Sequence, residues 1–143
     1  MSLESIPAFC GLRGDRLGQA YNEAAFRHFL AIDRLRAERS RRPLFLALVT
    51  VRQRSGSPTK LRNDTAAAIF RGLSTCVREV DFVGWYREGY AVGAVLAQAA
   101  KASAEVPHVI AQRLLAVLTK RLAADQSRNL RVRVVRLGGR VKT

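Results

Sequence analysis

Residues 78–98 have the sequence REVDFVGWYREGYAVGAVLAQ, and this stretch decides the fold. It predicts two short strands that fold back on each other across a polar tip, Arg87-Glu88-Gly89, because aromatic and β-branched residues flank the tip on both sides. Glycine at the tip permits the positive φ that tight hairpin loops need. The stretch is therefore a predicted β-hairpin.

The rest of the chain adds helices and two more strands around this hairpin. Apolar residues recur near the 3.6-residue helical period in a leading segment that Pro43 ends. The next stretch is almost entirely apolar, as in a buried central strand, and Pro107 suits the first turn of a later helix. The predicted elements are a helix over 16–41, a strand over 44–52, a helix that Asn63 or Asp64 caps and that runs to 77, hairpin strands over 81–86 and 90–97, a helix over 106–124 and a strand over 130–137.

This order predicts the fold class and the domain organisation. Strand, helix, strand, strand, helix and strand give an α+β fold, a ferredoxin-like βαββαβ antiparallel sheet with flanking helices, here preceded by an N-terminal helix. Residues 1–15 contain Pro7, Gly11 and Gly14, and we expect an irregular lead-in there. We expect residues 16–143 to form a single domain.

Charge is the strongest compositional signal. The chain has 25 Lys and Arg against 11 Asp and Glu, a formal net charge of +14, which predicts an anionic partner. The balance argues against metal-centred phosphoryl transfer, because the carboxylates that hold magnesium are scarce. No apolar run approaches the roughly 20 residues of a membrane span, and Cys10 and Cys76 have no metal-ligand spacing. We expect a cytoplasmic protein without a cofactor.

The hairpin lies between two helical segments, and Arg78 and Asp81 stand three residues apart just before it. This arrangement resembles the signature hairpin of GGDEF domains, which make or sense cyclic di-GMP. The resemblance extends over residues 22–137 and includes Asn22 in the leading helix and Arg42-Pro43-Leu44 before the first strand. It implies a nucleotide-cyclase-like fold and cyclic di-GMP as a ligand.

The resemblance also implies a ligand site. In the family an Arg-x-x-Asp element forms an inhibitory site for cyclic di-GMP, and Arg78 and Asp81 match it. A guanidinium fork can bind a phosphate or a guanine edge bidentately, while a carboxylate accepts from guanine amino groups. The alternative is an ordinary ion pair between Arg78 and Asp81 at the junction of helix and strand.

The residues that synthesis requires in the family are replaced here. Thr50-Val51-Arg52 falls where the family places metal-binding aspartates at the end of the first strand. Arg87 and Glu88 stand where two glycines approach the substrate phosphate, and the catalytic acid of the family is either replaced by Gly89 or deleted. Magnesium-dependent phosphoryl transfer needs positioned cations. We therefore expect a degenerate GGDEF-like domain with no catalytic residues, no metal site and no cyclase activity.

Other polar and aromatic residues have two interpretations each. Asp64 resembles an aspartate that contacts a guanine base in the family, but capping of a helix explains it equally. Arg87 and Glu88 at the tip are further candidates for ligand binding. Trp85 and Tyr86 could offer a base-stacking surface, although neighbouring strand residues face opposite ways, and packing is the alternative that we favour for Trp85.

Three hypotheses about function follow from these residues. The first is a catalytically inactive signalling or regulatory domain that acts as a cyclic di-GMP receptor through Arg78 and Asp81. The second is a non-catalytic protein-interaction domain without a nucleotide ligand, which binds an acidic protein or a second copy of itself. The third is a weak nucleic-acid binder without sequence specificity, because the sheet strands lack the aromatic signature of RNA-binding sheets.

Overall fold

The chain is described by a computed structural model over residues 20–76, 80–97 and 105–137. The predicted lead-in, residues 1–15, lies outside these ranges. None of the helices within them is long and apolar enough to cross a membrane. The elements are α1 (Glu23–Ser40), β1 (Leu44–Val51), α2 (Asn63–Cys76), β2 (Val80–Arg87), β3 (Ala91–Ala97), α3 (Val106–Thr119), α4 (Ala124–Arg128) and β4 (Leu130–Leu137).

The strands form one antiparallel sheet in the order β2-β3-β1-β4. β1 lies between β3 and β4, and both of its neighbours pair along most of its length. This interior position explains why the strand is almost entirely apolar, since six of its eight residues are buried. The predicted α+β fold with a βαββαβ order, flanking helices and a leading helix is confirmed.

The leading helix begins later than its apolar period predicts. Asn22 caps α1, and its side-chain oxygen accepts a hydrogen bond of 2.9 Å from the Ala25 amide. Tyr21 is extended instead of helical. Its amide donates to the Val83 carbonyl over 3.0 Å, and its carbonyl accepts from the Trp85 amide over 2.9 Å. The outer edge of β2 thus takes Tyr21 as a pairing partner, which draws the residue out of the helix.

The predicted helix over 106–124 is two helices. α3 begins with Pro107 in its first turn, as predicted, but ends at Thr119, and α4 follows from Ala124. The break lets the chain turn back toward β1, where the Asn129 carbonyl accepts a hydrogen bond of 3.0 Å from the Arg52 amide. The Asn129 side chain also donates to the carbonyl of Asp125 in the first turn of α4. No proline or glycine marks this break in the sequence.

Helices α2 and α3 pack on one face of the sheet, and α1 packs on the other. Trp85 is buried on the first face, where its ring meets that of Phe70 edge to face at 5.4 Å between centroids. Tyr86 points to the opposite face and packs among the residues around α1. The packing interpretation of Trp85 is therefore correct.

A close approach between α1 and the sheet fixes the position of the helix. Gly84 and Gly93 are paired across β2 and β3, and Phe26 of α1, which is fully buried, lies against both. A Cβ atom at Gly93 would come within 2.7 Å of the Phe26 ring. One at Gly84 would come within 2.6 Å of the Tyr21 carbonyl oxygen. The two glycines therefore form a shallow depression that accepts the Phe26 ring.

Candidate functional site

The hairpin tip, the end of β1 and the start of α2 meet at one end of the sheet. The loop over 52–62 joins them: the Thr59 amide donates to the Val51 carbonyl, and the Leu61 amide donates to the Gly89 carbonyl, both over 2.7 Å. Leu61 is buried, while most of the loop around it is exposed. The sequence-predicted residues Arg87, Glu88 and Asp64 are thus brought to the same end of the molecule.

The tip itself is a tight turn. Gly89 has a φ of 84°, the left-handed region that the sequence predicts for it, and the Tyr90 amide donates to the Arg87 carbonyl over 2.9 Å. The Arg87 guanidinium lies 4.9 Å from the centre of the Tyr90 ring. Both Arg87 and Glu88 are exposed, so their side chains are accessible to a ligand in solution.

The tip is also held by α1, a contact that sequence reasoning missed. A Glu23 carboxylate oxygen accepts a hydrogen bond of 2.7 Å from the Glu88 amide. The Arg27 guanidinium donates to the Tyr86 carbonyl over 2.8 Å and lies 4.2 Å from the centre of the Tyr86 ring. The i, i+4 spacing of Glu23 and Arg27, which form an ion pair at 3.4 Å, is the one signal in the sequence that marks this pair.

The end of β1 carries a cation. Arg52 follows directly after the strand, is exposed, and donates a hydrogen bond from its guanidinium to the Gly56 carbonyl within the loop. In residues 20–76, 80–97 and 105–137, no group of three or more His, Cys, Asp or Glu side chains could hold a metal ion. The exposed guanidinium and ammonium groups at this end can bind anions.

Asp64 serves the start of α2. The helix begins at Asn63, one residue before Asp64, so neither predicted residue occupies the cap position itself. The Asp64 carboxylate accepts from the Thr65 amide over 2.7 Å and binds both the Nε and an Nη atom of Arg62, at 3.2 and 2.9 Å. The hydrogen bond from Arg62 holds the pKa of Asp64 below its usual range. These contacts support the interpretation that Asp64 stabilises the start of α2. They also satisfy its carboxylate by hydrogen bonds within the protein, without a guanine base.

Comparison with known proteins identifies the fold. No protein-family model matches the sequence, and no curated protein matches it either. The structure matches the GGDEF domain of FimX from Pseudomonas aeruginosa with a TM-score of 0.62 and 16% identity, covering 96% of this chain and 85% of that one. It also matches the GGDEF domain of DgcB from Caulobacter crescentus, solved in complex with c-di-GMP, with a TM-score of 0.55 and 14% identity over 90% of this chain and 73% of that one. The chain has the fold of GGDEF domains.

The principal predicted ligand pair is Arg78 and Asp81, and one of the two lies within the described residues. Arg78 lies outside them. Asp81 lies in β2, and the pairing register of this strand with β3 shifts between Val80 and Phe82, on either side of Asp81. Irregularities of this kind are common at sheet edges and next to binding sites. The assignment of Arg78 and Asp81 to a ligand site stays a prediction.

The electrostatic character of the GGDEF-like hairpin end is basic. Exposed carboxylates at this end are few, and Asp64 is already paired with Arg62. The exposed cations there outnumber them, and all of these cations except Arg62 have no carboxylate ion pair among the described residues. They are Arg52, Arg54, Lys60, Arg62 and Arg87.

Proposed function

We propose that this chain is a degenerate GGDEF-like signalling domain that does not synthesise cyclic di-GMP but binds it. The observation that carries the inactive half of this proposal is Arg52, an exposed guanidinium at the end of β1. In the family that the hairpin resembles, this place holds aspartates that bind magnesium. A fixed positive charge repels a divalent cation, and phosphoryl transfer in such a site depends on bound metal ions to neutralise the developing charge.

The hairpin tip supports the same conclusion independently. The family resemblance places two glycines and an acid at the tip, and this chain has Arg87, Glu88 and Gly89 there. The Glu88 amide already donates to Glu23, so this backbone donor is not free for a substrate phosphate. The two exposed side chains also occupy space that glycines would leave open to the substrate.

Product formation from GTP tests the inactive half. Purified chain incubated with GTP and either magnesium or manganese should yield no cyclic di-GMP above a protein-free blank when the reaction is separated by liquid chromatography. An active diguanylate cyclase assayed in parallel shows that the conditions permit synthesis. Turnover that co-purifies with the chain and persists after a second purification step would disprove this half of the proposal.

The receptor half rests on Arg78 and Asp81. The pair matches the inhibitory element of the family in spacing and in its position before the hairpin. The register shift around Asp81 places an irregularity of the edge strand at this point. The DgcB domain, which shares the fold, was solved with c-di-GMP. A net charge of +14 favours a doubly anionic dinucleotide over neutral ligands.

Calorimetry with cyclic di-GMP tests the receptor half. Because a hydrogen bond to a charged group contributes about 1.5–3 kcal/mol, Arg78→Ala and Asp81→Ala should each weaken binding roughly 10-fold or more. Arg113→Ala removes an exposed arginine from α3 and serves as the matched control, with unchanged affinity expected. No heat at high micromolar ligand, or equal affinity in all three variants, would show that the pair is not a cyclic di-GMP site.

A further inference from the structure

The two faces of the sheet are covered unequally. On one face α2 packs over β2 and β3, and α3 packs over β4, so two helices lie side by side. On the other face α1 packs mainly over β2. Strands are spaced about 4.8 Å apart and packed helices about 8–10 Å apart, so a four-stranded sheet has room for two helices on each face. The described part of the chain supplies one helix for this second face.

The strand pair β1–β4 forms the half of that face beside α1. Register places Leu48 opposite Arg133, Thr50 opposite Arg131 and Leu46 opposite Val135. Leu44 and Leu46 are buried against residues around α1, but the other apolar residues of this strand pair on the same face, Leu48, Val135 and Leu137, are only partly buried, and both arginines are exposed. We call this surface the open face; it consists of Leu48, Thr50, Arg131, Arg133, Val135 and Leu137.

A groove of about 410 Å³ runs along the flank of α1 next to Tyr86. Phe29, on the opposite flank of the helix, contacts Tyr21 and Phe82 at the outer edge of β2, so the grooved flank is turned toward the open face. Leu35 in this groove has a relative exposure of 58%. The groove is lined by Arg27, Leu30, Ala31, Arg34, Leu35, Glu38 and Tyr86.

The charged side chains of α1 and those of β4 differ in whether they form ion pairs. On α1, Arg27 pairs with Glu23, and Arg34 lies 3.7 Å from Glu38. On β4, Arg131 donates to its neighbouring Leu130 carbonyl and has no carboxylate partner among the described residues. Arg133 likewise has no ion pair within that part of the chain, and the β1 residue opposite it is Leu48. The open face is therefore an aliphatic surface with uncompensated positive charge on one side.

We propose that the open face and the α1 groove together bind an acidic amphipathic helix of a partner protein. Its apolar stripe would cover Leu48, Val135 and Leu35, and its acidic flank would pair with Arg131 and Arg133, which is the helix-in-groove mode of recognition. A second copy of this chain is a poor occupant, because two bodies with a formal charge of +14 each repel one another. A nucleic acid is also disfavoured, since the aromatic ring in the groove, Tyr86, is already stacked with Arg27.

Selection from a displayed library of 15-residue helical peptides, with the full chain as bait, tests the proposal. Selected peptides should combine an apolar stripe with flanking Asp or Glu, and lose at least 10-fold in affinity between low and high salt because exposed charges are screened. Arg131→Glu/Arg133→Glu should weaken their binding at least 10-fold in fluorescence anisotropy. The matched control is Arg113→Glu/Lys120→Glu, the same charge change on exposed residues of α3 and its end, for which less than a 3-fold loss is expected.

Methyl resonances provide a second readout that does not depend on the arginine variants. Leu48 and Val135 methyl groups should shift on addition of a selected peptide, while those of Leu115 on α3 should not. The proposal is overturned if no acidic sequences are selected, if the control pair weakens binding as much as the β4 pair, or if the shifts map elsewhere. Sedimentation showing a dimer that Leu48→Asp dissociates would assign the face to a second copy instead and also overturn it.

Discussion

Individual residues at the contact between α1 and the sheet determine how well this domain packs. Phe26 sits in the depression formed by Gly84 and Gly93, and a Cβ at Gly93 would lie 2.7 Å from Cζ and 2.9 Å from Cε2 of the Phe26 ring. An aromatic ring with no exposed surface has little room to move away. The absence of a side chain at Gly93 therefore leaves the space that the Phe26 ring occupies.

Gly93→Ala should destabilise the domain by about 1–3 kcal/mol, the usual cost of overpacking. The free energy of unfolding from urea titration measures the effect. In a Phe26→Leu background the same change should cost less, because the ring atoms that it meets are gone and the two substitutions share one contact. Equal costs in both backgrounds would show that Phe26 does not determine the fit.

A second prediction at this scale concerns the pKa of Asp64. The Arg62 guanidinium and the Thr65 amide stabilise the ionised carboxyl, so its pKa in the folded state lies below the value in the unfolded chain. Such a group stabilises the fold at pH above the unfolded pKa of about 3.9, and the contribution is lost as the pH falls through the folded value. The free energies of unfolding of the wild type and Asp64→Asn, plotted against pH, should therefore begin to converge as the pH falls below about 4.

Carboxyl NMR titration provides the direct readout for this prediction. The Asp64 midpoint should lie below that of an aspartate in an unfolded peptide, and Arg62→Gln should raise it, because the largest stabilising contact is then lost. Arg54→Gln, in the same loop without a hydrogen bond to Asp64, is the control and should leave the midpoint in place. A wild-type midpoint at or above the peptide value would contradict the geometry.

At the scale of elements, the start of α1 depends on one side chain. Asn22 accepts from the Ala25 amide, and the next residue toward the N-terminus already pairs with β2. Asn22→Ala should lower the free energy of unfolding by about 1 kcal/mol, because a first-turn amide loses its partner, while Asn22→Ser should retain most of it. Thermal or urea unfolding distinguishes the variants. An alanine variant as stable as the wild type would show that solvent replaces the cap without cost.

The elements that could be predicted from sequence are those whose pattern is local. β4 has the predicted bounds, 130–137, because valines and arginines alternate along it, and Pro107 marks the first turn of α3. The start of α1 and the break after Thr119 were predicted wrongly. Both depend on partners far along the chain: Tyr21 pairs with β2, and Asn129 must reach Arg52.

The features of the candidate site also divide into those that local sequence predicts and those that depend on distant residues. The positive φ of Gly89 and the burial of Trp85 follow from local sequence, and both are found in the structure. The grip of α1 on the hairpin tip could not be predicted, because Glu23 and Glu88 are 65 residues apart and their contact uses a backbone amide that any residue would supply. Sequence patterns report side-chain preferences, whereas this contact is set by where a helix lies on a sheet.

At the scale of the whole molecule, the formal charge of +14 opposes compaction. Like charges repel within the folded state, and salt screens this repulsion over a Debye length of about 8 Å at physiological ionic strength. The melting temperature should therefore rise by a few °C between about 20 and 300 mM sodium chloride, an effect of roughly 1 kcal/mol or less. Calorimetry at constant pH measures it.

The ion pairs of α1 provide the contrary expectation. Glu23–Arg27 and Arg34–Glu38 are exposed, and these two pairs and the Asp33–Arg36 pair would weaken as salt increases. Such pairs contribute little, so repulsion should dominate. A melting temperature that falls steadily over this salt range would show that local attraction outweighs the net charge. Sodium fluoride in place of chloride tests whether specific anion binding, rather than screening, produces the rise.

Tyr21 has a consequence for how copies of this domain meet. Two backbone hydrogen bonds join it to Val83 and Trp85, so a stretch of the β2 margin is already occupied by the domain's own backbone. A filament in which domains pair through their edge strands requires an unpaired strand edge on each side of every domain. A strand of another copy that pairs with β2 must first displace Tyr21, whereas one that pairs with β4 meets arginines. Edge-to-edge polymerisation is therefore hindered at both edges of the sheet, by different means.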